Sequence, residues 1–174
     1  MTSPWEEQEN GARLLQSTEP RNMQILSYFP STSSGSLHGI NIAQLEANYE
    51  IAAHYYETVF KVKPFPAGTD TRTRYSTCGS IYVPSELQTQ GFDPNTTDTV
   101  ILATIYSDTS SSGTLAFAGP CDYMRRPVIS QVNFRAEKIA NYLNSDNYQY
   151  HQLVVITMHE MGHIFGVLGL SLIH

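Results

Sequence analysis

A chain of 174 residues is long enough for one compact domain with a real core and too short for two large ones. Its composition, 41% hydrophobic and 15% charged with eleven Tyr and seven Phe, is that of a globular protein, and no apolar run approaches the roughly 20 residues of a membrane span, so no transmembrane segment is expected. Ten Lys and Arg against sixteen Asp and Glu give a formal charge of -6 and a pI near 5.4, which repels phosphate backbones and anionic lipid and argues against nucleic acid as a partner.

Residues 1 to 20 are polar and lack any apolar period, so they read as a loose leader with neither the basic nor the apolar segment of a secretory signal; residues 21 to 174 read as one domain. Met23–Phe29 (MQILSYF) is strand-like, and PSTSSGS then breaks the chain. From Ile42 to Phe60 the apolar residues Leu45, Tyr49, Ala52, Tyr56 and Val59 recur at helical spacing before Pro64 and Pro66 close the segment. This predicts a core-packed helix in which His54 is structural rather than catalytic. Thr99–Tyr106 (TVILATIY) is a buried strand by its β-branched content, and the Ser-rich SDTSSSG after it is a turn. TLAFAG and VISQVNF are two further short strands, separated by a loop that carries Cys121. A last helix is predicted over about Tyr148 to Phe165, with its apolar LVVI segment packed on Thr99–Tyr106. Strands and helices in this mixture imply an α+β domain. The two cysteines, Cys78 and Cys121, can form one disulfide. Asn95-Thr96-Thr97 is the one glycosylation sequon, which leaves the compartment open.

The chemistry is concentrated in the last helix, in HEMGHIFG. His159 and His163 are four apart, so they project from one helical face about a turn from each other and can grip a single Zn²⁺ through neutral imidazoles. Glu160 lies beside the first of them, off the ligand face, where it suits a general base acting on an attacking water. The apolar QLVVIT before the motif buries the back of the helix and makes a rigid platform for the ligands. Gly166, three residues after His163, is placed to end the helix in a left-handed turn, as in the metzincin pattern His-Glu-x-x-His-x-x-Gly. The third His of that pattern would stand at position 169, which here is Gly169. A chance His-Glu-x-x-His on a surface helix is the competing reading of the pentapeptide alone.

HQLVVITMHEMGHIFG resembles the active-site helix of the leishmanolysin family of zinc metallopeptidases. CGSIYVPSELQTQGF, TVILATIY, LAFAGPCDYMRRPVISQVNF and EKIANY are similar in order and character to family segments leading into it, so the resemblance runs from about Arg21 to Val167. It implies a metzincin-type subdomain, with a mixed twisted sheet, a core helix and a zinc-binding helix, from the N-terminal part of a catalytic domain that is truncated here. It also implies one zinc ion held by His159 and His163, Glu160 as general base, and a peptide or protein substrate. By the same resemblance, Leu115, Ala116, Phe117 and Ala118 belong to the edge strand that pairs with that substrate. Cell-surface, membrane-associated or secreted placement follows from the family, although an intracellular protein fits the lack of a signal. Both cysteines lie in segments resembling the mature catalytic domain, which assigns Cys78 and Cys121 a structural disulfide rather than an inhibitory thiol.

In this family a long insertion separates the glycine from the third His, and a methionine turn lies beneath the metal. Met158 and Met161 sit inside the zinc helix and do not supply that turn. His174 stands eleven residues after His163, at a spacing the family does not use and at a free end, where it is a poor third ligand. His38 and His151 read as surface residues. The expected activity is therefore zinc-dependent endopeptidase chemistry. Two alternatives accompany it: a catalytically inactive fragment, and a non-enzymatic adhesion or interaction module on the same fold.

Overall fold

The computed structural model describes residues 19–30, 36–108, 113–143 and 147–167. Most of the polar leader, the Ser-rich turn at 109–112, and Gly169 and His174 fall outside the described residues. Arg21–Asn22 (β1) pairs with Lys61–Val62 (β5), Ser36–Leu37 (β3) with Ile40–Asn41 (β4), and Thr77–Cys78 (β6) with Ile81–Tyr82 (β7), each a two-residue antiparallel ribbon. The larger sheet joins Ile25–Tyr28 (β2), Thr99–Tyr106 (β8), Ala116–Tyr123 (β9) and Pro127–Arg135 (β10) in the order β2-β8-β10-β9. Helices occupy Ile42–Val59 (α1), Ser85–Thr89 (α2), Ala136–Leu143 (α3) and Asn147–Phe165 (α4). Strands β2, β8 and β10 are parallel and β9 is antiparallel to β10, so the sheet is mixed and the domain is α+β. Among the described residues no helix is long and apolar enough to cross a membrane.

α1 begins where the Asn41 side chain accepts the Gln44 N–H at 3.2 Å, an N-cap that satisfies one of the orphan donors of the first turn. Its buried stripe is Ile42, Leu45, Tyr49, Ala52, Ala53 and Tyr56, as the helical period requires; Val59, read as part of that stripe, is half exposed because the stripe leaves the core one turn earlier. His54 is exposed, 3.8 Å from Glu57, and takes no part in the core.

β8 is one of the two inner strands, and its side chains alternate between the two covered faces of the sheet. Ile101 and Ile105 join α1, α3 and α4 in one core with Leu45, Tyr49, Leu153 and Ile164, each burial being worth about 1.5–3 kcal/mol. Val100 and Leu102 face the other way, onto Phe65, Cys78, Val83, Leu87 and Phe92. α4 packs mainly against α1, α3, β9 and β10 rather than on β8. The reason is connectivity: α3 starts at Ala136, directly after β10, and α4 follows it, so both helices return over the β9–β10 side of the sheet. In the LVVI segment Leu153 and Val154 are buried, whereas Val155 is exposed.

Cys121 lies within β9 and not in a loop between strands. Gly119-Pro120 looks like a turn signal, but Pro120 is in register opposite Ser130 on an edge strand, where a missing N–H costs the ladder nothing. The Cys78–Cys121 disulfide, with a Cα–Cα distance of 5.5 Å, staples the β6–β7 ribbon to that edge.

Candidate metal centre

α4 carries the motif on a helix fixed from behind. Leu153, Val154, Thr157, Met161 and Ile164 fill the core face, and the Tyr56 hydroxyl donates to the Met158 carbonyl at 2.6 Å, tying α1 to the residue just before His159. Tyr56, Phe60 and Phe165 add ring contacts with centroids 5.1 to 5.5 Å apart. Gly166 ends the helix at φ 68, and the Val167 N–H donates to the Gly162 carbonyl at 3.0 Å, the bond of a Schellman turn. Met158 and Met161 are both inside α4, Met161 fully buried.

His159 and His163 lie on the open face of this helix with their Nε2 atoms 3.2 Å apart and their rings nearly perpendicular, at 85°. Two imidazole nitrogens on one tetrahedral zinc, with Zn–N of about 2.0–2.1 Å, would be about 3.3 Å apart, so the pair is set for a shared ion with little adjustment. The same distance accommodates one N–H···N hydrogen bond, and holding a metal ion there would require the donor ring to carry its proton on Nδ1 instead. Two neutral imidazoles converging on one point suit a borderline-soft cation such as Zn²⁺. Among the described residues no group of three His, Cys, Asp and Glu stands close enough to hold a metal; His174, considered as a third ligand, is outside them.

Glu160 points from the same helix toward β9, where its carboxylate accepts the Ala118 backbone N–H. Burial pushes this carboxyl up to about 7, against the opposing pull of that hydrogen bond. A carboxyl poised near neutrality can both accept and release a proton. β9 has β10 on one side and no strand on the other among the described residues, and it is this open edge that meets Glu160. Leu115 precedes β9 and gives its carbonyl to the Arg135 N–H at 2.9 Å. Ala116 is buried, Ala118 is partly buried, and Phe117 turns to the opposite face, its ring 5.6 Å from that of Tyr106.

Other features were not foreseen. An apolar groove of about 400 Å³ lies beside the motif, lined by Tyr55, Val59, Val155, Met158, His159 and Val167. Its walls come from two helices distant in sequence, and only the exposed apolar positions on each hinted at it. The carboxylate of Asp98 is fully buried and pairs with Arg126 at 2.7 Å and Arg21 at 3.2 Å, while Arg126 also stacks 3.9 Å above the Phe65 ring. His38 is an exposed turn residue with φ 50, and His151 is exposed on α4, two turns before His159.

A family model described as Leishmanolysin matches residues 57–172. The match spans β8, β9, β10 and the whole of α4, and it begins inside α1 rather than at Arg21. A search of curated proteins found no match.

Proposed function

The chain belongs to the leishmanolysin family, and from this premise we propose that it is a metzincin-type catalytic subdomain of a zinc-dependent endopeptidase. The observation that carries the reading is the convergence of His159 and His163 at 3.2 Å on the helical face that also aims Glu160 at the open edge of β9. His159 and His163 would hold the ion. When bound, Zn²⁺ supplies Lewis-acid polarisation of the scissile carbonyl. Glu160 takes the proton of the attacking water and delivers it to the leaving amine, a role that fits a carboxyl raised toward neutrality. The outer edge of β9 holds the peptide in extended form through main-chain hydrogen bonds at Ala116 and Ala118, beside the carboxylate that acts on it. Phe117, turned to the other face, contributes support to β9 rather than a substrate contact.

From the family we further propose cell-surface or membrane-associated placement and an adhesive role. The inactive-fragment reading gives the opposite result in one assay. The full chain is supplied with Zn²⁺ and a protein substrate such as casein, alongside Glu160→Ala and a chelator control. Cleavage that disappears in both controls supports the peptidase; a folded, zinc-loaded chain with no cleavage above the Glu160→Ala background sinks it and favours a scaffold.

A further inference from the structure

We propose that Pro120 is a specificity-determining residue that ends main-chain recognition of the substrate along β9. The inference rests on the peptidase reading and goes beyond it by fixing where peptide pairing stops. In an antiparallel ladder, successive residues turn their backbone groups alternately toward the partner strand and away from it. Two contacts set the phase on β9. The Leu115 carbonyl accepts the Arg135 N–H of β10, and the Ala118 N–H leaves the sheet for Glu160. The register is unbroken from Ala116 opposite Phe134 to Pro120 opposite Ser130. Phe117 and Gly119 therefore face β10, and Ala116, Ala118 and Pro120 face outward.

These three outward residues are not equivalent as partners for a peptide. Ala116 offers both its N–H and its carbonyl. Ala118 offers its carbonyl, while its N–H is engaged by Glu160. Pro120 has no N–H to give. Past Pro120 the register shifts, Cys121 is passed over in the pairing with β10, and its disulfide to Cys78 fixes the strand there. An extended peptide is thus held by its main chain over Ala116 to Ala118, next to Glu160, and the substrate residue opposite Pro120 meets an acceptor without a donor. Proline also blunts a free edge against other sheet edges, so the test separates substrate selection from protection against self-association.

The test uses the full chain and a nested series of blocked, uncharged peptides lengthened one residue at a time from either end, with binding measured by calorimetry so that turnover is not needed. In the wild type, affinity should climb and then level off in the series that grows past Pro120. In Pro120→Ala that series should climb further, by about fivefold for the added hydrogen bond. Pro120→Thr serves if the alanine variant does not fold. The same plateau in wild type and variant, a continued climb in the wild type, or a variant that gains only self-association overturns the inference while leaving the peptidase reading intact. Failure of every peptide to bind either form contradicts the peptidase reading, and this inference with it.

Discussion

The carboxylate of Glu160 accepts the backbone N–H of Ala118, so one hydrogen bond joins the helix that carries both histidines to the open edge of the sheet. The proposed general base and the strand proposed to hold substrate are thereby fixed relative to each other by the fold itself. Orientation of this kind can supply a large share of a catalytic effect. Glu160→Gln keeps the shape and removes the base. It should lower peptide cleavage by about 10²–10⁴-fold while zinc uptake persists, because the proposed site places Glu160 outside the metal's ligands. Parallel loss of zinc uptake and cleavage in steady-state and calorimetric measurements would instead place Glu160 in the metal shell.

The Cys78–Cys121 bond closes a loop with a sequence separation of 43 and ties the β6–β7 ribbon to the β9 edge of the sheet. Loop-closure entropy for that length gives about 4 kcal/mol. The Cys78→Ser/Cys121→Ser variant should melt lower by about 12 °C in a calorimetric scan. An unchanged melting temperature would mean that the 63–98 layer is held by its apolar packing alone.

What was legible in the sequence follows the range of the interactions responsible. α1 and α4 announce themselves through apolar residues at helical spacing, and β8 through a run of Val, Ile and Thr, because these signals are local. The shared face of His159 and His163 was legible for the same reason: residues four apart on a helix must be neighbours. Cys121 reads as a loop residue because it falls between TLAFAG and VISQVNF, and only the sheet shows that β9 runs on through Pro120 to Tyr123. The packing of α4 on β9 and β10 depends on how α3 redirects the chain after Arg135, which no periodicity encodes. Two-residue ribbons such as β3–β4 are too short to have a pattern.

The Asp98 carboxylate illustrates the non-local kind, with partners 77 and 28 residues away. It also accepts the Gln24 N–H at 3.0 Å, so it holds β2 to the start of β8. Asp98→Ala leaves two guanidinium groups facing an apolar gap. Removing one partner of a buried pair costs about 3–5 kcal/mol, and the partial exposure of Arg21 and Arg126 places this case near the lower end, about 3 kcal/mol. Urea denaturation should report that loss; a cost within experimental error of zero would show the cluster to be solvated.

At Gly166 the backbone is left-handed at φ 68, yet an added Cβ would meet nothing within 4 Å. Gly166→Ala should therefore cost only the conformational penalty, about 1–2 kcal/mol, and Gly166→Asn should cost less because Asn tolerates that region. Equal losses for Ala and Asn in thermal melts would point to a steric cause that the fold does not contain.

The central claim is that His159 and His163 hold one zinc ion between them, and calorimetric titration of the full chain with Zn²⁺ tests it most directly. One ion per chain should bind, the shared imidazole hydrogen bond giving way as the donor ring carries its proton on Nδ1 instead of Nε2. His159→Ala and His163→Ala should each lower the affinity by at least about tenfold. Zinc binding that survives both substitutions at full strength would contradict the account and move the metal elsewhere on the molecule.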